Sequence, residues 1–351
     1  MINTESTLTA FLPMLHNAEW VAVDTEADSL HAYPEKLCLI QISTAAGDRL
    51  VDPLAGLDIS PVLDALSGHE LIFHAADYDL RLLRKHHEFV PKAIFDTMLA
   101  ARLLGFKKFS LSDLVETCLG VKLDKGSQKA DWARRPLTER MENYARNDTR
   151  YLKPLSDKLK AELVAKDRLA WHSESCARLI ADSSQLPVSA PDTVWRIKGS
   201  SGLSRPALAV LRELWHWRET EAVAANKPPF FILKHEILVD LAAAAGSRQE
   251  VDHLVPHYLT PRRREGLSRA IQEGLQLSPD RYPEPVKRNH RWPTEAERRR
   301  FLALEKRRNA RATDLGIDPT LIAPRATLGD LARDWEKHSA ELMLWQRELL
   351  T

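Results

Sequence analysis

The sequence predicts an α/β domain followed by one or two small all-helical modules, and three observations carry that expectation. Short apolar runs alternate with helical periodicity through the first half of the chain. The β pattern then stops at a Ser/Pro-rich stretch from Ser183 to Pro191, and only amphipathic helices follow. A second break, rich in proline and charge, runs from Ser278-Pro279 to Pro293 and divides the helical tail in two.

Strands are expected at Trp20 to Asp24, Leu37 to Ser43, Arg49 to Val51, Glu70 to His74 and Ala93 to Phe95. Helical spacing marks Ile59 to Ala65, Tyr78 to His86, Thr97 to Leu104, Leu111 to Leu119 and one long segment from Thr138 to about Leu179. Beyond the first break, helices are expected at Arg205 to Asn226, Lys234 to Ala244, Gln249 to Val255 and Pro261 to Leu275, with Thr294 to Thr351 again helical. The expected division is therefore a domain at 1–182, a linker at 183–194, a helical domain at 195–278, a linker at 279–293 and a second, shorter helical domain at 294–351.

A chain of 351 residues with 44% hydrophobic and 28% charged residues can bury a full core, as a soluble globular protein does. No apolar stretch approaches the roughly 18 residues that span a bilayer, and the start Met1-Ile2-Asn3-Thr4-Glu5 lacks a basic leader, so a cytoplasmic protein without a membrane partner is expected. Cys38, Cys118 and Cys176 are odd in number and far apart, which suggests neither a disulfide framework nor a zinc site. The net charge of +1 hides an uneven distribution. Between Pro261 and Arg311, Lys and Arg outnumber Asp and Glu by about two to one, a pattern that fits either a polyanion-binding surface or solvated helix faces.

Three patterns carry candidate chemistry. Asp24-Thr25-Glu26 ends the first apolar run, and a period of two puts both carboxylates on one face. Two such charges about 4 Å apart repel by roughly 4 kcal/mol at an effective dielectric near 20, a cost that a bound multivalent cation removes. Next, Leu71 to His74 followed by Ala75-Ala76-Asp77-Tyr78-Asp79 reads as strand, turn and helix, with Asp79 in the first helical turn. Third, Tyr144-Ala145-Arg146-Asn147-Asp148 stacks a Tyr hydroxyl beside a carboxylate one helical turn away. Taken singly, each also fits an ordinary strand end, a helix N-terminal acid or a Tyr packed on its neighbour.

In this order the three segments resemble the three exonuclease motifs of the DEDD nucleases, in the subclass with Tyr in the third motif. Phe95-Asp96-Thr97, Leu103-Leu104-Gly105, Leu123-Asp124-Lys125 through Gln128, Asp131-Trp132 and Arg134-Arg135-Pro136-Leu137 are similar to the ribonuclease D branch. Trp217-Arg218, Ala222, Asn226-Lys227-Pro228-Pro229-Phe230, Ile232-Leu233, Leu238 and Leu241-Ala242 resemble the HRDC domain that RecQ-type helicases share with ribonuclease D. Leu315-Gly316-Ile317-Asp318-Pro319 and Leu321 to Arg325 look like a degenerate second copy.

The resemblance implies a ribonuclease H-like exonuclease domain, a mixed five-stranded sheet flanked by helices, followed by one or two HRDC-like domains. It implies a 3′-to-5′ exoribonuclease that releases nucleoside 5′-monophosphates and trims RNA with a free 3′ end, such as tRNA precursors. By the same resemblance Asp24, Glu26 and Asp148 hold a first ion, Asp24 bridges to a second, Asp79 supports the second through water, and Tyr144 orients the attacking water. Two divalent ions suit phosphodiester hydrolysis, and an oxygen-only ligand set favours Mg²⁺ or Mn²⁺ over zinc. Lys125, Trp132, Arg134 and Arg135 are the expected nucleic-acid contacts, in a basic stretch between the second and third motifs. His74 is expected to be structural.

Two readings compete with this one. A DNA 3′-exonuclease would use the same carboxylates, and a non-catalytic RNA-binding protein could keep the fold, although retention of four mutually repelling acids argues against the latter. His69-Glu70 does not open a metalloprotease motif, because the next His, His74, stands one position late on a strand. No G-x-x-x-x-G-K-[ST] occurs, so no nucleotide cofactor is expected.

Overall fold

The computed structural model describes residues 1–124, 126–185, 193–285 and 292–351. Parts of both expected linkers, and Lys125, lie outside these residues. Strands β1 (Val21–Ala27), β2 (Leu37–Thr44), β3 (Gly47–Val51), β4 (Glu70–Phe73) and β5 (Ala93–Asp96) form one sheet in the order β3-β2-β1-β4-β5. The first three pair antiparallel, whereas β4 runs parallel to both β1 and β5. This is the mixed five-stranded sheet expected. Because β1 and β4 point the same way, the segment leaving the end of β4 reaches the end of β1, where the acids are.

All eight residues of β2 are buried, as its nearly continuous apolar run requires when both faces are covered. β1 continues three residues past its expected end at Asp24. Its partner β2 carries the pairing on, so that Asp24 faces Gln41 and Glu26 faces Leu39 before the register shifts at Ala27.

Helix α1 (Glu5–His16) was not foreseen, although its signals are local: Thr4 and Thr7 form a reciprocal cap, and Leu8, Phe11 and Leu15 are buried at helical spacing. Helices α2 (Ser60–Leu66), α3 (Asp77–His87), α4 (Thr97–Leu104) and α5 (Leu111–Leu119) stand where periodicity puts them. The single long helix expected after Thr138 is three: α6 (Glu139–Arg150), α7 (Leu152–Ala165) and α8 (Leu169–Ser184). The chain changes partner at each junction. Met141 and Ala145 of α6 pack on Cys38, Leu39 and Leu50 of the sheet, whereas Leu155, Leu159 and Leu163 of α7 pack with Leu103 and Leu114. Asp167, in the left-handed region at φ 55, makes the second turn.

Two compact units result. One comprises Met1–Ala27, Leu37–Leu186 and Arg291–Thr351. Its main core sets Val21, Val23 and Ile40 of the sheet against Leu8, Phe11, Val62, Leu80 and Leu83. A further cluster joins Leu103, Leu114, Leu155 and Leu159 to Ala312, Ile317, Ile322 and Leu328, so the last sixty or so residues complete the apolar interior of the α/β part. There Arg168 donates to the carbonyls of both Leu103 (2.6 Å) and Leu315 (2.7 Å), and a Cβ on Gly105 would stand 2.2 Å from the Gly316 oxygen.

The other unit, Asp28–Lys36 with Pro187–His290, is built on α9 (Arg205–Ala225), α10 (Pro229–Ile232), α11 (His235–Gly246) and α12 (Pro261–Gln276) around Leu208, Leu211, Leu214, Leu238, Leu241 and Ile271. The helix expected at Gln249 to Val255 is only a tight turn at Asp252–Leu254, since its sequence holds one short apolar patch and no helical stripe. The tail helices are α13 (Glu295–Leu315), α14 (Pro319–Ile322), α15 (Arg325–Arg333), α16 (Trp335–Ser339) and α17 (Leu344–Leu350).

Helices α13 to α15 repeat the pattern of α9 to α11. In both, a 21-residue helix ends on a left-handed residue, Asn226 or Gly316, and a proline opens a single-turn helix. A buried arginine, Arg218 or Arg308, then donates to the carbonyl of the extended residue that follows, Leu233 or Ala323. Among the described residues, no helix is long and apolar enough to cross a membrane.

Candidate active site

Three elements deliver the four acids. β1 presents Asp24 and Glu26, the first turn of α3 presents Asp79, and the last turns of α6 present Asp148. Oxygens of Asp24, Glu26 and Asp148 lie within 4.8 Å of one another, the one such metal-capable group found among the described residues. Asp79 stands next to this trio and acts on each of its members electrostatically. The Tyr144 hydroxyl, one helical turn before Asp148, donates to that carboxylate. The five residues picked out by spacing therefore meet at one place.

Burial and mutual repulsion push these carboxyls upward. Burial is the larger cause for Asp24, which is raised well above the usual carboxylate range, with Asp79, Asp148 and Glu26 adding to it. Glu26 is pushed up to about 9 by burial and then by Asp148 and Asp79. Asp148 rises to about 8, chiefly by burial. Asp79 rises to about 7 by burial, against the opposing pull of its hydrogen bonds with Thr25. The Tyr144 hydroxyl is likewise held in its protonated form, first by burial and then by the carboxylates around it. Among the described residues, the causes of these shifts name burial, neighbouring acids and hydrogen bonds and no Lys or Arg. Such a donor set, hard oxygens in surplus negative charge, fits divalent cations.

Supporting residues fix these positions. Thr25 donates its backbone amide (3.0 Å) and its hydroxyl (2.5 Å) to one oxygen of Asp79. Gln41, fully buried opposite Asp24 on β2, donates to Asp24 at 3.4 Å. Asp96 caps α4 through the amides of Met98 and Leu99, and its other oxygen accepts from Ala76, which ties down the turn that opens α3. Ser43 bonds both Thr149, the neighbour of Asp148, and Asp48, and Arg150 donates to Asp48 as well, which pins the end of α6 to the sheet. Sequence reasoning missed these roles. Asp96 did carry an N-cap signal and Gln41 stood out as a lone polar residue in an apolar run, but Thr25 and Asp48 carried none. His74 Nδ1 lies 2.9 Å from Thr97 Oγ1, which donates to the Phe73 carbonyl, in line with a structural role.

The expected nucleic-acid contacts divide differently. Trp132 is 1% exposed, packed with Cys38, Leu39 and Met141, and offers no face to a base. Arg135 spends its guanidinium internally, on both oxygens of Asp52 at 2.6 Å and on the carbonyls of Cys38 and Trp132. Trp132 is corrected to a core residue and Arg135, its side chain 28% exposed, to a half-buried group held by Asp52: the pattern of basic and aromatic residues does not distinguish a surface loop from one folded against the sheet. Arg134 is exposed, and Lys125 lies outside the described residues.

Much of the basic tail is also committed internally. Arg262 and Arg263 pair with Glu221, Arg264 donates to the carbonyls of Pro256 and Leu259, and Arg300, Arg307 and Arg308 all bond main-chain carbonyls.

Comparison with known proteins finds relatives over both parts of the chain. Residues 1–164 match the 3′-5′ exonuclease family and residues 207–250 match the HRDC domain. Ribonuclease D of Zymomonas mobilis is 38% identical over 254 residues, covering 71% of this chain and 65% of that protein. Ribonuclease D of Jannaschia sp. is 32% identical over 349 residues, covering 94% and 88%. Among solved structures, Escherichia coli RNase D, described as an exoribonuclease involved in structured RNA processing, superposes with a TM-score of 0.77 at 26% identity, over all of this chain and 96% of that one. The catalytic core of RRP6 from Trypanosoma brucei gives 0.63 at 28% identity, over 78% and 77%.

Proposed function

Because the chain belongs to the ribonuclease D family, we propose that it is a divalent-metal-dependent 3′-to-5′ exoribonuclease that releases nucleoside 5′-monophosphates. The observation that carries this reading is the convergence of oxygens of Asp24, Glu26 and Asp148 within 4.8 Å, with Asp79 and Tyr144 beside them. Asp24, Glu26 and Asp148 would hold one Mg²⁺ or Mn²⁺ ion, and Asp24 with Asp79 would hold a second. When bound, the two ions supply positive charge that activates water and stabilises the developing charge on phosphorus and on the leaving oxygen.

The chain's own groups position the reactants. Tyr144 donates to Asp148, and its oxygen keeps lone pairs with which to accept from a water. Its raised pKa makes it an orienting group and not the base. Glu26 would accept from the same water or from the terminal 3′-hydroxyl. Thr25 fixes Asp79 so that the pocket keeps its shape before substrate arrives. Arg134 and Lys125 remain candidate phosphate contacts for the incoming strand.

The natural substrates we propose are RNAs with free 3′ ends, tRNA precursors among them, and the cytoplasm is the proposed location. The proposed domains are the exonuclease domain 1–182, an HRDC domain 195–278 and a degenerate second HRDC-like module 294–351, with linkers 183–194 and 279–293. The shared pattern of α9 to α11 and α13 to α15 supports the second module. The test is incubation of 5′-labelled, 3′-tailed tRNA with Mg²⁺ or Mn²⁺, comparing the wild type with Asp148→Asn. Stepwise shortening from the 3′ end by the wild type alone is expected. Equal release of mononucleotides by both would overturn the assignment.

A further inference from the structure

Helix α6 carries more than Tyr144 and Asp148 on its exposed side. Asn143 and Asn147 stand one turn apart beside the row Arg140, Tyr144 and Asp148, so the helix shows two adjacent stripes. A cavity of about 320 Å³ opens there, lined by Asp124, Glu139, Arg140, Asn143, Tyr144 and Asn147. That is at the lower end of the roughly 300–1,000 Å³ of small-ligand sites, and it begins at the residue that faces the chemistry. Its wall is polar. Apart from Tyr144 it offers two carboxamides, a guanidinium and two carboxylates, and no apolar plane on which a base could lie.

Arg140 lies against Gly126, where a Cβ would stand 1.8 Å from its guanidinium, and its pairing with Asp124 is a loose 3.4 Å contact between exposed groups, so its donors stay available. The carboxamides are the distinctive feature. Each offers donors and an acceptor at once, which matches a ribose hydroxyl that both donates and accepts.

The direction of attack decides which nucleotide lies here. The bond that breaks joins phosphorus to the O3′ of the upstream nucleotide, and an in-line water enters opposite that oxygen. With Tyr144 orienting the water, the upstream strand departs on the far side of the phosphorus. That leaves the 3′-terminal nucleotide, attached through an equatorial oxygen, as the part of the substrate able to reach a cavity that continues past Tyr144.

We infer that the groove formed by Asn143, Asn147 and Arg140 on α6 receives the ribose of the 3′-terminal nucleotide, and that the two carboxamides read its 2′-hydroxyl, so that this face selects RNA ends over DNA ends. The inference rests on the exonuclease reading and deepens it. Asn143 and Asn147 are specificity residues on this account, and neither takes part in bond cleavage.

The test uses the full chain and two 5′-labelled oligoribonucleotides that differ only in a 2′-deoxy sugar at the 3′-terminal position. The quantity read is the ratio of kcat/KM for removal of that nucleotide. The wild type is expected to favour the ribose end by about tenfold, the worth of one good hydrogen bond. Asn143→Ala and Asn147→Ala are each expected to bring the ratio toward one by slowing only the ribose-ended substrate. Removal of the deoxy-ended nucleotide reports in the same assay that the variant is folded and active.

A wild-type ratio of one would overturn the inference. So would variants that slow both substrates equally, because that is the mark of a structural role. Failure of the wild type to shorten either oligonucleotide would instead overturn the exonuclease reading on which it rests.

Discussion

Thr25 and Asp79 are joined twice, by the Thr25 amide at 3.0 Å and its hydroxyl at 2.5 Å, both donated to one carboxylate oxygen. The residue between the two acids of the first motif is therefore the anchor of the acid in the second. This explains how Asp79 remains aimed at the pocket although burial and, to a lesser degree, Asp96 disfavour its charged form.

Replacing Thr25 with Val keeps the amide bond and the shape but removes the hydroxyl. The expected result is a loss of about 1–2 kcal/mol in denaturant unfolding, with a higher Mg²⁺ requirement for activity. Thr25→Ser should retain both properties. A Val variant that matches the wild type in stability and in metal titration would remove the anchoring role.

The raised carboxyl pKa values make the metal-free protein less stable as pH rises. Asp79, Asp148 and Glu26 titrate near about 7, 8 and 9 when folded, against about 4 when unfolded, so between these limits the folded state binds more protons. The stability they lend is complete below about pH 4 and is lost progressively up to about pH 9, so this contribution lowers the melting temperature across that window in chelator. Added Mg²⁺ should oppose the fall at the alkaline end by binding the ionised form. A melting curve equally pH-dependent with and without Mg²⁺ would contradict this.

Asp148→Asn preserves an acceptor for the Tyr144 hydroxyl while removing one repelling charge. Activity should drop by more than the roughly 100-fold that loss of an outer partner costs a metal site. At pH 9 in chelator the same variant should be more stable than the wild type by about 1 kcal/mol. Loss of both activity and stability would mean that the substitution damages the fold.

Arg135 and its neighbour Arg134 should behave oppositely. Arg135→Ala strands the buried Asp52 carboxylate and should cost about 3–5 kcal/mol, with RNA affinity per folded molecule unchanged. Arg134→Ala should leave the melting temperature alone and weaken RNA binding, most visibly at low salt. Filter binding beside thermal melting separates the two.

Gly105 and Gly120 both end helices at positive φ, but their surroundings differ. Gly120→Ala meets open space and should cost only about 1 kcal/mol for its backbone conformation. Gly105→Ala would drive a methyl onto the Gly316 carbonyl at 2.2 Å, so the expected loss is clearly larger. Equal melting temperatures for the two variants would exclude the close approach.

The α/β half of the chain was legible because its signals are local. Strand lengths, the D-x-E spacing and the Tyr-to-Asp helical turn each depend on neighbours in sequence, and β1 to β5 stand within a few residues of expectation. What could not be read depends on which surface a segment meets. Trp132 and Arg135 looked like ligands for a polyanion because sequence does not reveal that their loop folds onto β2. The segment from α6 to α8 looked like one helix because its apolar period stays near helical spacing while its partners change. Thr25 and Gln41 acquire meaning only through Asp79 and Asp24, which are their neighbours in space.

The cluster that joins Leu103, Leu114 and Leu155 to Ile317, Ile322 and Leu328 has a consequence for how the molecule is made. During synthesis the sheet and its early helices emerge before Ile317, Ile322 and Leu328, the partners for one of their oily flanks. The intervening segment, Pro187–His290, takes about 5–20 s to translate at usual bacterial rates. Throughout that interval the nascent α/β unit carries an uncovered greasy surface, which is what a chaperone binds.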